Sequence, residues 1–212
     1  MNREADSSQA RAAGPATRNP QRTREKILGA ALREFSAKGL AGARVDVIAR
    51  RAGVNKRMLY HYFGNKDGLF SAVLRQKIAQ REALLASAPK DPAETLAYWF
   101  DAACHDLDWF RLLGWEALQA ADGRLVHQRY RRSVARRAVE SVRARQAQGL
   151  LPADLDAGHL LLSMMALTAY PLVFPQSTRL VTGRSIADPA FQRERREFLV
   201  RFANLLHRPA GR

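Results

Sequence analysis

The sequence predicts an all-α protein: an N-terminal three-helix module followed by a larger helical bundle. Three observations predict it. Apolar residues recur at i, i+3 and i+4 in the segments that Gly and Pro mark off, and no run alternates with the two-residue period of a strand. At the front, two short apolar-faced stretches flank a single glycine, Gly53. The 212 residues are 47% hydrophobic with 13 Gly and 9 Pro, which is enough apolar surface for a core and excludes collagen-like and low-complexity classes. One cysteine, Cys104, excludes an intramolecular disulfide framework and a Cys-rich zinc site, so a reducing, cytoplasmic setting is expected. The longest apolar run, 160–174, is broken by Ser163, Thr168 and Pro171. It falls short of the roughly 20 residues that cross a bilayer and reads as a core helix, with no membrane partner expected. No apolar signal core precedes residue 27.

Taken in order, residues 1–19 show no apolar period and read as a disordered basic arm carrying Arg3, Arg11 and Arg18. A first helix follows, with Asn19 as cap, Pro20 at its start, Ile27, Leu28, Ala31, Leu32 and Phe35 on its apolar face, and Gly39 as its stop. A short second helix places Val45, Ile48 and Ala49 on one face and ends at Gly53, where a left-handed turn favours glycine. Asn55 caps a third helix that runs through Phe63. Asn65 caps a longer fourth carrying Leu69, Phe70, Val73, Leu74 and Ile78, which joins the front module to the rest. Five further helices are expected at about 93–106, 108–120, 123–148, 155–174 and 188–206, with the polar stretch 176–187 as a loop. The expected division is 1–19 arm, 20–66 front module, 67–207 bundle and 208–212 tail.

The formal charge is +15, and it is concentrated at the front: residues 1–85 hold 17 basic and 7 acidic residues. That asymmetry suits a polyanion, because each cation that neutralises a phosphate releases condensed counterions. Two short helices joined by a tight Gly turn and braced by a preceding helix let one of the pair enter a DNA major groove while the other crosses the backbone. The exposed early positions of the second are Lys56, Arg57, Met58 and His61, and Tyr60, Tyr62 and Lys66 lie where a phosphate strand would pass. Arg57 is the expected base reader, since its fork matches guanine O6 and N7, whereas Lys and Tyr anchor phosphates without reading sequence.

The stretch VDVIARRAGVNKRMLYHYFGNKDGLF, within residues 22–72, resembles the signature of the TetR family of bacterial helix-turn-helix regulators. The matching positions include Ile48, Ala49, Gly53, Val54, Leu59, Tyr60, Tyr62, Phe63, Lys66 and Leu69. The resemblance implies backbone contacts by Tyr60, Tyr62 and Lys66 and a reading surface of Asn55, Lys56, Arg57 and His61. Arg44 stands where the family commonly has a phosphate-touching Ser or Thr, and Arg57 where a small residue is usual. The resemblance also implies a double-stranded DNA operator as partner and a helical regulatory domain with a cavity for a small-molecule effector. It implies a homodimer through the last two helices and, most simply, a repressor that the effector releases from a palindromic operator; an activator or architectural DNA binder is the alternative.

For the interface, Phe191, Phe198, Phe202, Leu205 and Leu206 give the final helix a broad apolar face, and the 160–174 helix is apolar nearly all round. For the ligand cavity, the dense aromatics Tyr98, Trp99, Trp109 and Trp115 are candidates, joined by Cys104, His105, Met164, Met165 and Tyr170. The 123–148 helix, with Arg124, Arg129, Arg131, Arg132, Arg136, Arg137, Arg143 and Arg145, reads as a solvated basic face, with an acidic ligand or partner as the alternative. His105, Asp106 and Asp108 lack the i, i+4 partner a metal site needs, so neither metal nor cofactor is expected. No nucleophile, carboxylate pair or phosphate loop can be assembled, so no enzyme is expected.

Overall fold

The computed structural model describes residues 19–119 and 125–206. Residues 1–18 of the basic arm, Gly123, Arg124 and the tail lie outside the described residues. The order is α1 (Pro20–Gly42), α2 (Val45–Ala52), α3 (Lys56–Phe63), α4 (Lys66–Ala86), α5 (Pro92–Cys104), α6 (Leu107–Gln119), α7 (Gln128–Ala147), α8 (Ala157–Val173), α9 (Pro175–Thr182) and α10 (Pro189–Leu206), with no strand among the described residues.

Side-chain caps set the helix starts. Asn19 Oδ1 accepts from the Gln21 and Arg22 N–H groups at 3.0 and 3.3 Å, Asn55 from Met58 at 2.8 Å and Asn65 from Gly68 at 2.7 Å. Asp91 and Asp156 do the same for α5 and α8 at 2.9 Å. At Gly53 the chain turns left-handed (φ 69, ψ 34), Val54 N–H donates to Ala49 O at 3.0 Å and Gly53 N–H to Arg50 O at 3.2 Å, a Schellman closure that aims α3 away from α2. Gly39 breaks α1 (φ 66, ψ 179) before the last turn. A Cβ there would meet the Trp115 ring at 2.9 Å.

Two cores result. The first joins Ile27, Phe35, Ile48, Leu59, Phe70 and Leu74, with Phe35 and Phe70 edge to face at 5.1 Å and Leu112 of α6 completing it. The second joins Leu96, Phe100, Leu160, Leu172 and Leu199, with α10 packed along α5 and α8 against α5, α6 and α7. α4 serves both units: Leu69, Phe70, Val73 and Leu74 lie in the first core, and its later turns face the bundle.

One expectation fails here. The 176–187 stretch, expected to be a loop, begins as helix: α9 covers Pro175–Thr182 and meets α8 at a bend of 88°. Its polar residues hide their needs locally, since the buried Thr178 hydroxyl donates to Pro171 O at 2.8 Å and Thr182 Oγ1 to Thr178 O at 2.7 Å. No single helix among the described residues is long and apolar enough to cross a membrane.

Candidate nucleic-acid interface and interhelical cavity

Most of the residues expected to read DNA lie on the outer face of α3. Lys56, Arg57 and His61 are exposed and Tyr60 is 43% exposed, whereas Leu59 is fully buried and anchors the helix. Asn55 commits its side-chain oxygen to the cap, leaving its amide group as a donor. No acidic residue occupies the first turn of α3, so its N-terminal N–H groups, Lys56 and Arg57 form one positive end suited to a phosphate strand. Tyr62 is half-buried against the first core, with its ring 5.7 Å from that of His61. Lys66 spends one of its three donors on Ala41 O at 3.0 Å and so ties the start of α4 to the end of α1. Arg44 opens α2 without capping it, and its fork is taken by Asp46 (Nε to Oδ1 3.3 Å, Nη2 to Oδ2 3.2 Å). The hydrogen bond from Arg44 holds the Asp46 carboxyl below its ordinary range.

Beneath this surface sits a residue that sequence reasoning missed. Glu34 is fully buried, with Oε2 accepting from Arg51 Nη1 at 2.8 Å and Oε1 facing Lys38 Nζ at 3.2 Å and the Arg44 N–H at 3.4 Å. Burial alone would raise its pKa, but Lys38, the Arg44 N–H and Arg51 together hold it below the ordinary value. The carboxylate therefore clamps α1 to α2 from inside. Nothing in a helical heptad distinguishes it from a solvated glutamate.

The second site is a cavity of about 290 Å³ between α4, α5, α6, α7 and α8. Of the sequence candidates, Trp99, Trp109 and Met165 line it. The others lie elsewhere. Trp115 donates from Nε1 to Ser36 O at 3.1 Å and lies on Gly39, bracing α6 to α1. His105 is the exposed C-cap of α5. Tyr98 and Cys104 are half-buried against the second core, and burial with nearby Asp101 pushes the Cys104 thiol up to about 11. Met164 and Tyr170 face a separate groove between α8 and α10. Asp106 and Asp108 pair with Lys77 at 2.6 Å and Arg111 at 3.5 Å.

Two arginines also line the cavity, Arg81, which sequence reasoning missed, and Arg131, which it placed on a basic face. Arg81 of α4 lies over Phe110 and Trp109, at 5.2 and 5.9 Å from the ring centroids. Arg131 of α7 is only 15% exposed and its Nη1 meets Glu116 Oε2 at 2.6 Å. The solvated reading of the α7 arginines fails for two of them: Arg131 turns inward, and Arg145 donates to Pro89 O at 2.9 Å, whereas Arg137 stays exposed and pairs with Glu82 at the surface. The shape of the bundle decides this, because α7 packs on both α8 and α4. α4 is also fixed to the start of α7 at His127, whose ring Nε2 lies 2.9 Å from both the Ser71 hydroxyl and the Ser71 carbonyl.

A compact helix-turn-helix unit with an exposed cationic reading helix, mounted through a shared helix on a bundle with an apolar cavity, defines a two-domain DNA-binding regulator. Residues 27–73 match the family model for bacterial regulatory proteins of the tetR family, and residues 91–204 match the tetracyclin repressor-like C-terminal domain. The chain belongs to the TetR family of helix-turn-helix transcriptional regulators, as the resemblance over residues 22–72 implied. It is 36% identical over 173 residues to the HTH-type transcriptional repressor SCO4008 of Streptomyces coelicolor, covering 79% of this chain and 88% of that one. To the HTH-type transcriptional repressor NicS of Pseudomonas putida it is 32% identical over 173 residues, covering 75% and 80%. The fold is similar to the crystal structure of SCO4942 from Streptomyces coelicolor, with a TM-score of 0.74 and 26% identity over 88% of this chain and 99% of that one.

Proposed function

We propose that the protein is a cytoplasmic repressor that binds a palindromic operator as a homodimer and leaves it when a small molecule fills the cavity. The observation that carries this reading is that one helix, α4, holds both ends of the device: Lys66 at the DNA module and Arg81 in the cavity wall. An occupant that shifts α4 against α7 changes the spacing of the two reading helices, and it weakens DNA binding by its differential affinity for the two spacings. In this reading residues 20–66 form the DNA-binding unit and 67–207 the regulatory one. Arg57, Lys56, His61 and the Asn55 amide face base edges, Tyr60, Tyr62 and Lys66 face phosphates, and Arg44 reaches the backbone only by loosening Asp46. Trp99, Trp109 and Met165 face the effector. Exposed apolar residues Leu162 and Tyr170 on α8 and Phe198 and Leu205 on α10 support a dimer through these two helices.

The test is selection of bound duplexes from a random DNA pool at near-physiological salt. The expected result is an inverted repeat with half-sites roughly 34 to 36 Å apart, and Arg57→Ala flattens one base position per half-site by about 1 to 3 kcal/mol. Salt-sensitive binding with no motif would overturn the reading.

A further inference from the structure

The wall of the cavity buries more hydrogen-bond donors than the described residues supply acceptors for. Arg81 Nε, Trp99 Nε1, Arg131 Nε and Arg131 Nη2 are all buried without a hydrogen-bond partner, and all three residues line the same cavity. Trp99 is 7% exposed. The nearby unpartnered acceptor is Glu116 Oε1, on a carboxylate whose other oxygen already holds Arg131. A buried donor without an acceptor forfeits its hydration with nothing in return, so such atoms are rare where packing alone is at stake. Two buried or half-buried cations elsewhere are met within the chain: Lys77 by Asp106, and Arg145 by Pro89 O. Arg195 Nε is the one comparable atom outside the cavity among the described residues, and its guanidinium, like that of Arg131, already donates once, to Leu167 O at 2.7 Å; what sets the cavity apart is that Arg81 and Trp99 make no hydrogen bond there among the described residues.

Charge points the same way. Arg81 has no ion-pair partner among the described residues, because Asp106, the acid that acts on it, is held by Lys77. Burial lowers the Arg81 pKa from its ordinary value although the charge of Asp106 acts against it, a sign that the guanidinium has lost more water than its distant acid repays. Apart from these donors and Thr168, whose hydroxyl is bonded to Met165 O at 3.0 Å, the lining is apolar, with Ile78, Leu84, Phe110 and Leu161 among it. A cation would meet two guanidinium groups in a poorly hydrated space, and a neutral hydrocarbon would leave every donor unpaired. A dianionic phosphate would bring a second charge that one unmatched arginine does not neutralise.

We propose that the cavity takes a compact monocarboxylic acid, its carboxylate accepting from Arg81, Trp99 and Arg131 and its apolar body lying against Trp109 and Phe110. The inference deepens the effector reading above and rests on it for its regulatory meaning. A volume of about 290 Å³ is at the small end for ligand pockets. Arginine matches the two carboxylate oxygens with parallel N–H donors, and indole N–H adds a third without adding charge.

The experiment is isothermal titration of the DNA-free, full-length protein with two matched probe series: 1-naphthaleneacetic acid, its primary amide and 1-naphthylmethylamine, and octanoic acid with octanamide and octylamine. In at least one series the acid binds about tenfold or more tighter than the amide, and the amine binds weakest. Arg81→Met removes the preference of acid over amide, and Trp99→Phe, which deletes one neutral donor, reduces it by a smaller factor. Helicity by circular dichroism and the amide's own affinity show that each variant is folded. An amide or amine that binds as tightly as its acid, an acid preference that survives Arg81→Met, or no binding by any probe overturns the assignment. Because no DNA is present, these outcomes are independent of the operator selection. An acid preference without release of the selected operator leaves the carboxylate site standing and removes the repressor mechanism instead.

Discussion

Glu34 and Arg81 are both charged side chains set into apolar surroundings, and the two regions treat them in opposite ways. Around Glu34 each carboxylate oxygen has a partner, supplied by α1, α2 and the chain between them. Around Arg81, Trp99 and Arg131 the cavity wall leaves four donor atoms unmet. The first arrangement is complete within the chain and holds two helices at a fixed angle. The second is incomplete until something from outside enters. A buried charge thus marks structure where its hydrogen bonds close and a binding site where they do not.

The largest effect expected from this contrast is at the closed cluster. Glu34→Met strands the Arg44 N–H and two cations, a change that costs 3 to 5 kcal/mol when the partners are also buried. Here Lys38 and Arg51 side chains are 50% and 47% exposed and regain water, so the expected loss is about 2 to 3 kcal/mol, read from denaturant midpoints. The same cluster sets an acid limit. The folded pKa of Glu34 lies below the ordinary value of 4.5, so its stabilising contribution is full above that value and is lost as pH falls through the folded one. In Glu34→Gln that part of the acid limb disappears, which unfolding midpoints followed from about pH 6 to about pH 3 will register.

Next in size is Gly39→Ala, which demands a side chain at φ 66 and ψ 179 and drives its Cβ into the Trp115 ring. The expected cost is about 2 kcal/mol, seen as a lower melting temperature. Rescue by Trp115→Leu is only partial, because the backbone penalty remains. The smallest effect is at the open cluster: Arg81→Met in the ligand-free protein is neutral or stabilising by about 1 kcal/mol, since it removes a half-buried charge whose Nε–H has no partner among the described residues. A loss of 2 kcal/mol or more in the same denaturation experiment would erase the distinction between the two regions.

The fold was legible where local chemistry decides it. Asn19, Asn55 and Asn65 cap helices in any context, Gly53 turns left-handed for steric reasons, and the apolar faces of the first four helices point where their period says. The front surface was legible for the same reason, since Lys56, Arg57 and His61 lie outward once Leu59 lies inward. Tertiary neighbours decided the rest. Glu34, Arg81 and Arg131 look like solvated charges until α2, α5 and α6 close over them. Trp115 looks like a pocket aromatic until the gap left by Gly39 receives it. α9 was hidden because Thr178 and Thr182 turn their hydroxyls onto carbonyls of the preceding turn and of Pro171, so a polar composition conceals a helix.

The continuity of α4 between the cavity and the DNA module has a mechanical consequence. At about 1.5 Å per residue, roughly 22 Å of unbroken helix separates Arg81 from Lys66. A rigid rod of that length pivoting by about 5° at its cavity end sweeps its far end through about 2 Å, and a two-fold partner moving oppositely changes the separation of the reading helices by about 4 Å. Against the 34 to 36 Å repeat of the major groove, that is about a tenth of a helical turn. In the proposed dimer the gearing lies in the length of the rod, so a rearrangement of one side chain in the cavity would be enough to put the two readers out of step with DNA.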